Sequence, residues 1–150
     1  IGFHLDIVGG AVGSLCEAYR SITRFDETGH WVNMLFDHET AEIAVRSPYR
    51  YPQLEVKIKK PGPLHIRIPP WIEHDLVRIN GWSGFSHFSE DYLVIEQPEV
   101  GHSIALDFDL PVHDMVLTFR DFETRARFRG DEVIAMDNFG TDLTFFDPFE

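Results

Sequence analysis

The stretch Leu64-His65-Ile66-Arg67-Ile68-Pro69-Pro70-Trp71, with Leu76-Val77-Arg78-Ile79-Asn80-Gly81 after it, decides how this chain reads. Leu64, Ile66 and Ile68 share one face of an extended backbone, while His65 and Arg67 share the other. Pro69 and Pro70 have no amide hydrogen, so neither can continue a central ladder and the chain must turn a corner there. Asn80 and Gly81 both tolerate positive φ, which predicts a hairpin turn. Strand, proline corner, strand and turn together indicate a β-sandwich or barrel.

The period of two extends outward from this stretch. It predicts strands over 30–36, 40–46, 53–59, 63–68, 75–80, 91–96 and 102–109, then 114–120, 123–129, 132–137 and 142–146. Leu54, Val56 and Ile58 alternate with Glu55, Lys57 and Lys59, so one face is buried and the other wet. Short strands separated by Gly, Pro, Asp and Asn predict a mainly β fold, an antiparallel β-sandwich of jelly-roll type. The N-terminal residues differ. Leu15, Ala18, Tyr19 and Ile22 have helical spacing, and Ser14 with Glu17 forms a capping-box pattern. This predicts one N-terminal helix over about 11–23, entered through Gly9, Gly10 and Gly13 and ended by a turn at Asp26-Glu27-Thr28-Gly29. The expected organisation is a helical segment over 1–25, the end of an upstream helical domain, and a sandwich over 26–150.

Composition excludes several classes. The chain has 150 residues and is 43% hydrophobic with 13 Phe, enough for a core without metal or disulfide staples. Cys16 is the single cysteine, so no intrachain disulfide forms, and the compartment stays open with the cytoplasm slightly favoured. No apolar run is long enough to span a membrane, and no signal peptide is visible, which reads as a soluble chain. The net charge of −12 argues against nucleic acid and anionic membranes as partners.

Several segments, in order, resemble the C-terminal part of the β-L-arabinofuranosidase-type glycoside hydrolases, family 127 and its uncharacterised relatives. Glu17-Ala18-Tyr19-Arg20-Ser21-Ile22 and Val32-Asn33-Met34-Leu35 are similar to the junction helix and the strand after it. Tyr51-Pro52 with Val56-Lys57-Ile58, Arg67-Ile68-Pro69-Pro70-Trp71 and Ile79-Asn80-Gly81 follow in the family's order. So do Tyr92-Leu93-Val94-Ile95, Gly101 through Pro111, and Phe128-Arg129-Gly130-Asp131-Glu132-Val133-Ile134. The resemblance implies a sandwich behind an (α/α) helical barrel, with carbohydrate as substrate and the catalytic groups upstream. On this reading the chain is a non-catalytic part that packs on and supports the barrel. Its partners are the upstream helical domain and carbohydrate, or a second copy if it is isolated. Characterised members carry adjacent cysteines before the junction helix, one of them the nucleophile, which help hold a zinc ion. The corresponding place, Asp6-Ile7-Val8-Gly9-Gly10, has no cysteine, and Cys16 lies within the helix. That chemistry therefore transfers to no residue here, and no cofactor is expected within the chain.

The residues themselves offer modest signals. Aromatic rings can stack on the C–H faces of sugars, and Trp31, Trp71, Trp82, Phe85 and Phe88 are the ligand-binding candidates. Trp82-Ser83-Gly84-Phe85-Ser86-His87-Phe88 reads as an aromatic-rich loop, a platform if exposed and a cap on the sandwich if not. Phe139, Phe145, Phe146 and Phe149 read as core or interdomain contacts. His74, His87 and Glu90 are the weak metal candidates, but none of the eight histidines forms an HxH, HxxxH or HExxH pattern. Ile68 through His74 resembles the proline-then-histidine strand of cupins, so a cupin-like metal protein is a rival reading, requiring His74 and His87 to converge inside a barrel. A stand-alone carbohydrate-binding sandwich is another. The carboxylate pairs Glu90-Asp91 and Asp131-Glu132 point to opposite faces of extended chain, and Asp107 and Asp109 read as solvated strand-end residues. No nucleophile elbow or phosphate loop is present.

Overall fold

The structure, a computed structural model, describes residues 3–47, 51–137 and 147. It falls into two compact units, Ile1–Phe108 and Asp109–Glu150. That break is not announced by the even spacing of the strands.

The first unit opens with α1 (Phe3–Arg20). The helix is longer than expected at its start and shorter at its end. Gly9, Gly10 and Gly13 lie inside it, and Ser14 sits mid-helix rather than at a cap. The apolar stripe Val12-Leu15-Cys16-Tyr19 carries the helical period through the glycines, each of which costs roughly 1 kcal/mol relative to alanine. The helix ends because Ile22 leaves it to join the core, 5% exposed, and its carbonyl accepts a hydrogen bond from the Asn33 amide at 2.9 Å. The next residues are therefore a strand, β1 (Thr23–Asp26), and the expected turn joins β1 to β2 (Gly29–Val32).

Two five-stranded sheets follow the period of two. The first orders β1, β2, β6 (Leu64–Arg67), β9 (Tyr92–Ile95) and β8 (Ser86–Ser89). The second orders β3 (His38–Glu39), β4 (Ile43–Arg46), β5 (Gln53–Ile58), β10 (Ser103–Asp107) and β7 (Arg78–Asn80). Pairing is antiparallel except between β2 and β6, which run parallel because the chain spends three strands in the second sheet before returning. Both sheets are open, so the fold is a sandwich and not a barrel.

The inner faces make the core. Val45, Val56 and Ile104 lie side by side across the second sheet, and Val32, Ile66 and Leu93 across the first, each at most 1% exposed. Burying each such side chain contributes about 1.5–3 kcal/mol. One row of the first sheet contains a histidine: His30, Leu64 and Ile95 are adjacent and fully buried. The His30 Nε2 donates to the Lys60 carbonyl at 2.8 Å, which leaves Nδ1 enclosed without a partner.

The proline corner forms as expected. Ile68 and Ile72 anchor it, and the Ile72 amide reaches the Pro69 carbonyl at 3.0 Å. His74–Leu76 make a 3-10 turn where a strand was expected to begin. Asn80-Gly81 is not a hairpin turn. β7 pairs with β10, β8 pairs with β9, and Gly81, at φ 76°, redirects the chain from the second sheet to the first.

The second unit is a meander of β11 (Val112–Phe119), β12 (Phe122–Arg129) and β13 (Glu132–Met136). Asp114 and Arg127 are directly opposite in the ladder, and the Arg127 guanidinium grips the carboxylate at 2.7 and 3.0 Å. The expected strand 142–146 and the residues Phe139, Phe145, Phe146 and Phe149 lie outside the described residues.

Candidate functional site

The outer face of the first sheet carries a cleft of about 390 Å³. Strand register builds it. Arg24, Trp31, His65, Val94 and His87 are cross-strand neighbours on β1, β2, β6, β9 and β8, so their side chains stand in one row. Val94, 5% exposed, is the floor. His65 is one wall, stacked on Trp31 with centroids 4.0 Å apart and planes 7° from parallel. His87 is the other, stacked on Phe85 at 5.4 Å. Tyr92 sets its ring edge-on to Trp31 at 5.1 Å, and its hydroxyl donates to Asn33 Oδ1 at 3.0 Å.

The aromatic wall is braced from behind. The Arg24 guanidinium lies 4.8 Å over the Trp31 ring, and the indole N–H donates to Thr28 Oγ1 at 3.0 Å. Arg24 is in turn paired with Asp26 at 2.9 Å. The Thr28 hydroxyl and amide both donate to the Asp26 carboxylate, and with Arg24 they hold its pKa below the ordinary value. Thr28, Ser89, Glu90 and Glu96 give the cleft a polar rim. A Glu96 oxygen is 3.9 Å from His87 Nδ1, too far for a hydrogen bond. Glu90 lies at φ 52° in the turn between β8 and β9, a backbone region that suits glycine or asparagine better.

The aromatic residues singled out from sequence are dispersed. Trp71 is half-buried against Phe108 at 6.1 Å. Trp82 is half-buried, and Gly84 sits so close to its ring that a Cβ there would be 2.3 Å from Cζ2. Phe85 is 68% exposed and backs His87. Ser86–Ser89 form β8 rather than a loop, so alternation sends Phe88 to the side of the strand away from His87. Phe88 stacks there on His74 at 4.1 Å and 4°. His74 and His87 thus flank opposite sides of β8, in an open sheet, and the convergence inside a barrel that a cupin requires does not occur. Among the described residues, no group of three or more His, Cys, Asp or Glu is placed to hold a metal ion.

Trp31 was legible as a candidate, but His65, Tyr92 and Glu96 were not. Their signal was the alternation: His65 and Tyr92 occupy outward positions in strands whose alternate residues are buried, and Glu96 follows directly on the end of β9.

The fold is one found in glycoside hydrolases. A solved structure described as a glycoside hydrolase matches 80% of this chain with a TM-score of 0.58 and 17% sequence identity. Another, Ara127N-Se, a GH127 β-L-arabinofuranosidase from Geobacillus stearothermophilus T6, matches 75% with a TM-score of 0.55 and 19% identity. The likeness read from the ordered sequence motifs therefore holds at the level of fold. The chain spans 23% and 21% of the lengths of those two proteins. No protein-family model and no curated protein matches the chain. No helix among the described residues is long and apolar enough to cross a membrane.

Proposed function

We propose that this chain is the non-catalytic β-sandwich part of a glycoside-hydrolase-like protein, and that it packs on and supports a helical domain through α1. The observation that carries this is the outward face of the helix. Val12, Leu15 and Tyr19 are 54%, 69% and 64% exposed, and with Cys16 and Arg20 they line a surface hollow of about 370 Å³. Their i, i+3, i+4, i+7 spacing is that of a helix meant to bury one stripe. Tyr19 also touches His38 of β3, 5.1 Å between rings, which ties the helix end to the sandwich. Leaving such a stripe in water forgoes about 25 cal/mol for each Å² of apolar surface that a partner helix would cover.

The fold likeness supports the same reading, since comparable sandwiches occur as under a quarter of larger glycoside hydrolases. Hydrogen–deuterium exchange on the natural polypeptide tests it. Amides of residues 12–20 should be protected as strongly as those of β5, and the intact mass should exceed that of this chain by several hundred residues. Rapid exchange along α1 in the natural polypeptide would overturn the proposal.

A further inference from the structure

We infer that the cleft between His65 and His87 binds a neutral saccharide. The inference goes beyond the supporting role of the sandwich and stands whether or not α1 is covered.

The arrangement matches the two-sided chemistry of a sugar ring. One side of such a ring is a patch of C–H bonds and the edge is a belt of hydroxyls. In the cleft, Val94 supplies an apolar floor and the imidazoles of His65 and His87 stand as flat walls. These walls lie two inter-strand spacings apart, about 9.6 Å between their backbones. Both walls are held in place, His65 by Trp31 at 4.0 Å and His87 by Phe85 at 5.4 Å. A rigid slot of this kind loses little side-chain freedom when it closes on a ligand. At the rim, Glu90 and Glu96 accept no hydrogen bond among the described residues, so both carboxylates are open to ligand hydroxyls.

Charge narrows the class. Two carboxylates at the rim, on a chain of net charge −12, repel uronates and phosphosugars. Glu90 is the first residue of the two-residue turn that joins β8 to β9, φ 52°, a position glycine would fill without strain, and the turn sets its carboxylate at the rim.

Calorimetric titration of the protein tests this, using neutral oligosaccharides of arabinose and galactose, an oligogalacturonate and a lysine-rich peptide. A neutral oligosaccharide should bind saturably and the oligogalacturonate should not. Glu96→Gln should weaken binding about tenfold by removing a charge-assisted acceptor. Glu90→Gly should weaken it similarly while raising the melting temperature, which separates a binding role from a structural one. The inference fails if no neutral oligosaccharide binds, if both variants bind unchanged, or if the oligogalacturonate or the peptide is preferred.

Discussion

Trp31 and His65 lie face to face on neighbouring parallel strands, 4.0 Å between ring centroids and 7° from parallel. The indole is held on four sides: His65 on one face, Arg24 on the ring at 4.8 Å, Tyr92 at the edge, and Thr28 on the N–H. The stack is on the outer face of the sheet, so removing it should not unfold the core. His65→Ala should cost about 1 kcal/mol, the usual worth of an aromatic pair. It should also change Trp31 emission, because one face of the indole becomes wet. Urea unfolding with fluorescence detection reads both, and a variant with unaltered emission would show that the stack does not order the indole.

Gly29 and Gly13 should respond to alanine with opposite signs. Gly29 is at φ 120°, and a Cβ there would lie 2.4 Å from the Pro63 carbonyl oxygen. The same oxygen accepts the His30 amide at 2.8 Å, so it cannot withdraw without breaking the β2–β6 junction. Gly29→Ala should destabilise by about 2 kcal/mol or more. Gly13 lies in a helix with nothing within 4 Å of a built Cβ, and Gly13→Ala should stabilise by about 0.5–1 kcal/mol. Denaturant midpoints of the two variants check the pair.

The sandwich was legible because alternation survives burial. Leu54, Val56 and Ile58 carry the pattern on their own, as do Leu64 and Ile66. Elements defined by pairing rather than pattern were hidden. β1 follows directly on Ile22, which continues the helical spacing, and β8 lies in a Ser- and Phe-rich stretch with no alternation of polarity. The two-residue β3 has no period at all. Asn80-Gly81 has the chemistry of a hairpin turn but connects strands of different sheets, which depends on what β7 and β8 pair with. The cleft was the least legible feature. Trp31, His65, Val94 and His87 come from four separate strands, and only the register, parallel at β2–β6 and antiparallel beyond, sets them in one row.

Glu39 offers a local test of the second sheet's outer face. Its carboxylate accepts from Lys59 at 2.8 Å and Arg46 at 2.6 Å. Lys59 first, then Arg46, hold its pKa down to about 2 from the ordinary 4.5. A depressed carboxylate contributes stability that is complete above its unfolded value and is lost as pH falls through about 2. All three groups are substantially exposed, so that contribution is small and screened by salt. Carbon-detected NMR should show Glu39 titrating near 2, and Lys59→Met should move it back towards 4.5. An unmoved titration would mean that Lys59 is not the controlling charge.

The buried His30 makes stability depend on pH in the opposite direction from a histidine that gains an acidic partner. Burial, the largest cause, lowers its pKa below the ordinary 6.5, and the hydrogen bond to the Lys60 carbonyl only partly opposes this. The neutral ring therefore suits the folded protein, with the proton on Nε2. Below 6.5 the unfolded chain takes up a proton that the folded protein resists. Stability is then full above that value and falls as pH drops from it towards the depressed folded pKa. A single such group limits the slope to about 1.4 kcal/mol per pH unit. His30→Gln keeps a neutral donor for the Lys60 carbonyl but cannot titrate. Urea midpoints measured from neutral to mildly acid pH should show the parent weakening and the variant holding level through the His30 window. Equal slopes in the two proteins would remove His30 as the source of the acid sensitivity.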